Sequence, residues 1–390
     1  MSIDLDAFRS QLRDFIRDNA PDLPFRTGTR SPEDAHEAKL LREWSALLYK
    51  HNYYGAEWPE EFGGKGEVDA SEGIIVSEEL ARARAAVPIG AGGLAGFAIL
   101  SFGNDVQRQF HLPNIRSYEH VWCQLFSEPD AGSDLASMRT KAEPDGDEFV
   151  VTGQKVWSTN AKWAEWGFLL ARTDPTVSKH AGITAFALDM TLPGIDVRPM
   201  KEMTGTSDFN EVFFNEVRVP ASAAIGQVND GWRVATLSLA EERAGVGALV
   251  VRLRQGLDAL IDLAGRVDIG GRPAAKDPIV RQQLAAFHCR VEIASLLAQA
   301  TVDRRLAGIV RVQDAPISKL LFANLNWDMG DYGVMLQGMS GTLFNTDPHA
   351  VDGGRWQDEL LYAKAYTISG GSNEIMRNIL SERGLGLPRD

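Results

Sequence analysis

The sequence predicts a multi-domain α and β protein: an N-terminal all-α domain over residues 1–118, a middle antiparallel β domain over 119–228 and a C-terminal four-helix bundle over 229–390. Three observations carry this prediction. Apolar residues recur at helical spacing through the first region, short aromatic and β-branched segments replace them in the second, and long helical stripes return in the third. A chain of 390 residues also exceeds what one hydrophobic core usually serves.

In the first region, Leu5, Phe8, Leu12, Phe15 and Ile16 mark one helix, and Leu40, Leu41, Trp44, Leu47 and Leu48 a second. A turn cluster, Trp58-Pro59-Glu60-Glu61-Phe62-Gly63-Gly64, punctuates the helices of this region. The longest uncharged run, Ala85 to Gly103, contains Pro88 and several glycines, including those at 90, 92, 93 and 96. It reads as a buried helix or helix pair rather than a membrane span. Its stretch Gly90-Ala91-Gly92-Gly93-Leu94-Ala95 fits the G-x-G-x-x-A dinucleotide fingerprint, but the preceding segment reads as helix and no βαβ alternation comes after it. Close helix packing is the expectation there.

The second region contains Glu148-Phe149-Val150-Val151-Thr152, Trp166-Gly167-Phe168-Leu169-Leu170, Ile183 to Leu188 and Glu211-Val212-Phe213-Phe214, separated by turns such as Pro144-Asp145-Gly146-Asp147 and Leu192-Pro193-Gly194. That texture predicts antiparallel strands, closed or sandwiched. In the third region, Ala235, Leu239, Val246, Leu249 and Leu253 form one stripe, and Leu284, Phe287, Val291 and Ala294 another, as in a helical bundle.

Composition narrows the function. The 53 acidic and 40 basic residues give a net charge of -13, which repels phosphate backbones and argues against a nucleic-acid partner. The two cysteines, Cys123 and Cys289, lie in apolar contexts and read as reduced thiols. The seven histidines show no ligand spacing, so no metal site is expected. The amphipathic N-terminus lacks the apolar core of a signal peptide, and a cytoplasmic location is the resulting expectation.

Two segments of the β region carry chemistry: Ser127-Glu128-Pro129-Asp130-Ala131-Gly132-Ser133-Asp134 and Gly153-Gln154-Lys155-Val156-Trp157-Ser158-Thr159-Asn160. Together they offer hydroxyls, backbone N–H groups around Gly132 and an indole, which suits a flat heterocycle with a polar edge and a phosphate tail. Both resemble signature motifs of the acyl-CoA dehydrogenase family, T-E-P-x-A-G-S-D and G-x-K-x-(W/Y)-I-T-N. The resemblance extends to Trp58–Gly64, to Asn215-Glu216-Val217-Arg218-Val219-Pro220 and to Gly371-Ser372-Asn373-Glu374-Ile375-Met376-Arg377, in the family's order.

The resemblance implies an FAD-dependent removal of hydrogen from the two carbons beside a CoA thioester, giving the trans-2-enoyl-CoA. Leu125, Ser127, Gly132 and Ser133 would line the flavin and pantetheine, with Ser127 keeping the hydroxyl of the usual threonine. Trp157 would flank the isoalloxazine, and Thr159 would sit near its N5. Ser372 and Glu374 would serve FAD from the C-terminal motif. Electron-transfer flavoprotein is the implied electron acceptor.

The α-proton needs a carboxylate base in a dry pocket. The family's common position for it is Gly370 in this chain, and glycine cannot act as a base. The resemblance offers an alternative on the first bundle helix, immediately before an arginine, as in isovaleryl- and long-chain-type dehydrogenases. This chain has Glu241-Glu242-Arg243 there. Glu242 falls on the apolar stripe, three residues after Leu239 and four before Val246, whereas Glu241 lies about 100° away. Glu242 is therefore the expected base, a buried Glu242–arginine salt bridge being the plainer reading. Arg243 would hold the substrate near its CoA portion. A backbone N–H near Gly370 and a flavin ribityl hydroxyl would polarise the thioester carbonyl.

Two family segments depart from the pattern. R-x-x-F-G becomes the stretch from Gly265 to Pro273, and Q-x-x-G-G becomes Gln337-Gly338-Met339-Ser340-Gly341. In the family these elements reach a neighbour's FAD. Their loss resembles actinobacterial dehydrogenases of steroid and other bulky side chains, some of them heteromers. A homo-oligomer is expected, with a heteromer as the second possibility. Two further readings stand beside the dehydrogenase: a non-catalytic or half-site subunit of a heteromer, and a flavin oxidase of the same fold.

Overall fold

The computed structural model describes residues 4–388 apart from 24, 25, 27, 29, 243–245 and 346, with 70, 240–242, 246, 247 and 305 described by backbone alone. The first region contains helices α1 (Leu5–Asn19), α2 (Ala35–Lys50), α3 (Ala70–Ala83), α4 (Gly92–Phe102) and α5 (Asp105–Ser117). Their starts are capped by side chains that satisfy otherwise orphaned N–H groups, α4 excepted. The Asp4 carboxylate accepts from the backbone of Asp6 and Ala7, and Asn104 and Gln107 form a reciprocal capping box on α5. Leu12 and Ile16 of α1 meet Trp44, Leu48, Ile75, Val76 and Leu80 in one core. The uncharged run resolves into the single helix α4. A Cβ on Gly96 would stand 2.4 Å from the Trp58 ring, so this glycine permits close packing.

The middle region is one eight-stranded sheet. Its strands are β1 (Trp122–Leu125), β2 (Lys141–Asp145), β3 (Glu148–Lys155), β4 (Trp166–Arg172), β5 (Ile183–Asp189), β6 (Ile195–Pro199), β7 (Asn210–Pro220) and β8 (Ala224–Ile225). The order is β6-β7-β3-β2-β4-β5-β8, with β1 also paired to β4. Most pairings are antiparallel, as expected, but β1 runs parallel to β4, and β2 touches β4 in parallel at Lys141 and Arg172. The chain between β1 and β4 is long enough for the crossover that parallel neighbours need, and it carries both candidate motifs.

Strand β4 reads as a continuous apolar run because its two faces serve different cores. Phe168 and Leu170 join the core shared with the N-terminal helices, while Leu169 and Ala171 join Phe186, Leu188, Val212, Phe214 and Val217 inside the sheet's own fold.

The last region contains α6 (Gly231–Glu242), α7 (Val246–Arg266), α8 (Pro278–Leu306), α9 (Asp314–Leu336), α10 (Arg355–Ile368) and α11 (Asn373–Ile379). Helices α7 to α10 pack around Leu253, Leu257, Leu260, Phe287, Val291, Phe322, Met329 and Trp356. The stripe expected on one bundle helix is divided. Ala235 and Leu239 pack into the N-terminal core and Leu249 and Leu253 into the bundle core, because α6 leans on α4 and β5 instead of joining the bundle. The altered stretch after α7 forms an exposed hairpin of β9 (Asp268–Ile269) and β10 (Arg272–Pro273). Among the described residues, no helix is long and apolar enough to cross a membrane.

Candidate active site

The two motifs lie against each other and are locked from below. Strand β1 ends at Leu125, whose side chain is fully buried against Gly167, so only its backbone can face a ligand. Nearby, the Ser127 carbonyl accepts from the Val156 N–H at 2.9 Å and joins the motifs edge to edge. Beneath this bond, the Lys155 ammonium donates to the Phe126 carbonyl at 2.9 Å and to Glu128 Oε1 at 2.8 Å. Glu128 also accepts from the backbone N–H groups of Arg139 and Thr140, at 2.6 and 2.9 Å. Burial pushes Lys155 down to about 8. It opposes charge on Glu128 as well, but the adjacent ammonium and the N–H donors hold that carboxyl below its ordinary value. The pair is therefore ionised at neutral pH.

The opposite face of the motifs is open. Gly132 and Ser133 are exposed, Ser127 and Thr159 are half-buried, and a Cβ on Gly132 would meet no atom within 4 Å among the described residues. Trp157 is 56% exposed, with its ring edge-on to Phe209. Its φ of 61°, with Asn160 at 62°, is uncommon for residues with side chains and marks a constrained turn. That turn is held by Ser158 and Asn210, which exchange backbone hydrogen bonds at 3.1 Å, with Asn210 Nδ2 also donating to the Ser158 carbonyl. Ser158 Oγ and Asn210 Oδ1 are buried and have no hydrogen-bond partner among the described residues.

A third element is the turn from Gly370 to Ser372 between α10 and α11. Gly370 is exposed at φ 64°, and a Cβ there would meet nothing within 4 Å among the described residues. Gly371, at φ 93°, is packed on its other side against Met376. Lys319 Nζ on α9 donates to the Gly371 carbonyl at 2.6 Å. The Ser372 hydroxyl accepts from the Ile375 N–H at 3.3 Å and so caps α11, while the exposed Glu374 pairs with Arg377 at 3.3 Å. Both side chains have partners within the chain itself.

One N-terminal segment ties these elements together. Arg30 donates to Asp208 at 2.9 Å and to Asp358 of α10 at 2.7 Å, and its guanidinium lies over the Tyr362 ring. The next residue binds the β region twice, the Ser31 N–H to Asp208 at 2.7 Å and the Ser31 hydroxyl to Asn160 Oδ1 at 2.8 Å. The Trp157 turn and the helix leading to Gly370 are thus anchored to the same short segment.

Three family models match the chain in order: the acyl-CoA dehydrogenase N-terminal domain over residues 2–119, the middle domain over 123–217 and the C-terminal domain over 229–385. The chain belongs to the acyl-CoA dehydrogenase family. The acyl-CoA dehydrogenase IpdE1 of Mycobacterium tuberculosis is 38% identical over 99% of each chain. Among solved structures, the Tcur3481-Tcur3483 steroid ACAD matches with a TM-score of 0.87 at 29% identity, covering 99% of this chain and 98% of that one. The ChsE4-ChsE5 complex from Mycobacterium tuberculosis matches with a TM-score of 0.85 at 28% identity, covering 100% and 99%.

The protein is thus an acyl-CoA dehydrogenase, and FAD is its cofactor. The residues present fit that group. The exposed Trp157 indole offers a flat apolar face, and Gly132 leaves the neighbouring backbone open to close approach. Glu242 is the last residue of α6, but its side chain and that of Glu241 lie outside the described residues, as does all of Arg243. Sequence reasoning missed Lys155, Glu128, Arg30, Asp208 and Lys319 as site-building residues. For Lys155 a signal existed: it occupies an inward position of β3, and a charge on an apolar strand face demands a partner.

Proposed function

We propose that this acyl-CoA dehydrogenase oxidises a branched or bulky acyl-CoA to the trans-2-enoyl-CoA, with Glu242 as the α-proton base. The observation that carries the reading is the pairing of the two motifs, locked by Lys155 and Glu128 on one side and open around Trp157 on the other. Ser127, Gly132, Ser133, Trp157 and Thr159 hold the flavin ring and pantetheine, and the backbone at Gly370 orients the thioester carbonyl. The chemistry that FAD supplies when bound is acceptance of the β-carbon hydride at N5. Glu242 removes the α-proton, and Arg243 binds the CoA portion. Electrons then pass to electron-transfer flavoprotein.

The open space at Gly370 supports the bulky acyl group, as does the likeness to a structure named as a steroid ACAD. Anaerobic mixing with a panel of acyl-CoA thioesters, read by flavin bleaching, tests the reading. Branched or ring-bearing thioesters should bleach the flavin faster than butyryl-CoA. A preference for short straight chains overturns the substrate class, and no bleaching by any thioester overturns the reaction.

A second reading, a half-site subunit that needs a different chain, is favoured by the likeness to the ChsE4-ChsE5 complex. Yellow, FAD-loaded protein from the single purified chain argues against it. FAD binding that appears only with a second chain supports it.

A further inference from the structure

The Gly370–Ser372 turn has a dedicated anchor on a different helix. Glycine at two consecutive positive-φ positions leaves the turn little conformational preference of its own. One side of it is open: among the described residues nothing lies within 4 Å of where a Cβ on Gly370 would stand. The other side is held. Lys319 Nζ reaches up from the second turn of α9 to the Gly371 carbonyl at 2.6 Å and to Asn373 Oδ1 at 3.4 Å. Asn373, itself buried, donates to Asn324 Oδ1 of the same helix at 2.9 Å. Two α9 side chains thus grip the turn from beneath, and the short Lys319 bond is the charge-assisted one.

We propose that Lys319 is a positioning residue for the dehydrogenation: its ammonium fixes the Gly371 carbonyl, and with it the conformation of the glycine turn whose backbone N–H at Gly370 would meet the substrate's thioester carbonyl. The inference rests on the acyl-CoA reading above. The Gly371 carbonyl shares its peptide plane with the Ser372 N–H, so holding it fixes the C-terminal end of the turn and narrows the backbone angles open to the two glycines before it. Electrostatic stabilisation of developing charge works only if the donors are in place beforehand. A glycine pair cannot supply that order, whereas a lysine drawn from a packed bundle helix can. Lys319 touches no substrate in this scheme; it acts through the turn.

The test uses the FAD-loaded full chain and Lys319→Met, with Lys319→Gln as a second variant that keeps an N–H donor without the charge. Amide hydrogen exchange is monitored at Ile375 and Met376, whose N–H groups bond to Ser372 at the end of the turn. Loss of a hydrogen bond to a charged group should speed their exchange about ten- to a hundredfold in Lys319→Met, with β1 and β3 unchanged. The maximum rate of flavin reduction by acyl-CoA should fall about tenfold or more while KM and FAD content hold, because the oriented donors act chiefly on the transition state. Lys319→Gln should fall between parent and Lys319→Met in both readouts. Unchanged exchange at the two amides overturns the proposal. So does faster exchange with an unchanged maximum rate, which makes Lys319 purely structural. If the parent flavin is reduced by no thioester, the dehydrogenase reading fails, while the exchange result still decides whether Lys319 holds the turn.

Discussion

Lys155 and Lys319 stand behind the β side and the bundle side of the site, and burial lowers both to about 8. The similarity ends there. Lys155 is completely buried, faces a carboxylate and locks two long loops to each other. Lys319 is half-buried, faces carbonyl oxygens and holds a glycine turn whose outer side is open among the described residues. A buried ion pair is costly to form and more costly to break, so it suits a surface with one shape. The glycine turn is instead gripped on one side alone, by Lys319 and Asn324 from beneath. The contrast teaches that the side assigned to the invariant cofactor is rigid, while the side assigned to the variable acyl group keeps room.

The largest expected effect lies with neither lysine. Gly370 supplies no carboxylate, and the proposed base is Glu242, the last residue of α6. Glu242→Gln should slow anaerobic flavin reduction by roughly 10²–10⁴-fold, with FAD content retained. Glu241→Gln should stay near the parent. Stopped-flow bleaching with one good acyl-CoA measures both. If Glu242→Gln bleaches at the parent rate, Glu242 is not the base and the assignment is wrong. If Glu241→Gln is the inactive one, the chemistry stands and the helical phase is off by a residue.

The next effect tests the rigid side directly. Lys155→Met leaves Glu128 buried without its cation, and should cost about 3–5 kcal/mol of stability in urea unfolding. Replacing both partners, Lys155→Met with Glu128→Gln, should recover a substantial part of that loss. Glu128 also gives the pair a pH signature. Its folded carboxyl lies below the ordinary value of 4.5, so the stability it adds is complete above about pH 4.5 and lost as pH falls through the lower folded value. The double variant should lose that share of the acid sensitivity. Lys319→Met should cost less stability than Lys155→Met; equal costs would erase the distinction between the two sides.

Much of this was legible in the sequence, for local reasons. Helical and strand periods mark the three regions, and the motifs announce themselves through residue types a few positions apart. What was hidden depends on distance along the chain. Arg30 and Asp358 are separated by 328 residues, and nothing local to either indicates a partner. The parallel β1–β4 pairing requires knowing that the long excursion between them folds back. The stripe from Ala235 to Leu253 reads as one helix face because periodicity does not reveal which core each residue meets. Lys319 looks like an ordinary charge on a helix until the Gly371 carbonyl is placed above it. Glu242 came from a motif and a helical phase, and its side chain lies outside the described residues.

The smallest effect sharpens the comparison where the bundle side is most open. Gly370→Ala adds one methyl group to a position with no neighbour within 4 Å among the described residues, so the expected cost is conformational rather than steric. An L-residue held at φ 64° loses roughly 1–2 kcal/mol relative to glycine, which should appear as a modest drop in the urea midpoint with FAD content unchanged. Gly371→Ala should destabilise more, because φ 93° lies further from the left-handed well than φ 64° and its Cβ, 2.3 Å from Met376 Cε, obliges that flexible side chain to shift. The two variants then separate by readout. Gly370→Ala should leave flavin reduction by small thioesters near the parent rate and slow it for bulky ones, because the methyl group projects into space that only the larger acyl chains would use. Gly371→Ala should slow both alike, by disturbing the turn that Lys319 holds. If Gly370→Ala slows small and bulky thioesters equally, the space beside Gly370 does not receive the acyl group, and the openness of the bundle side has another cause.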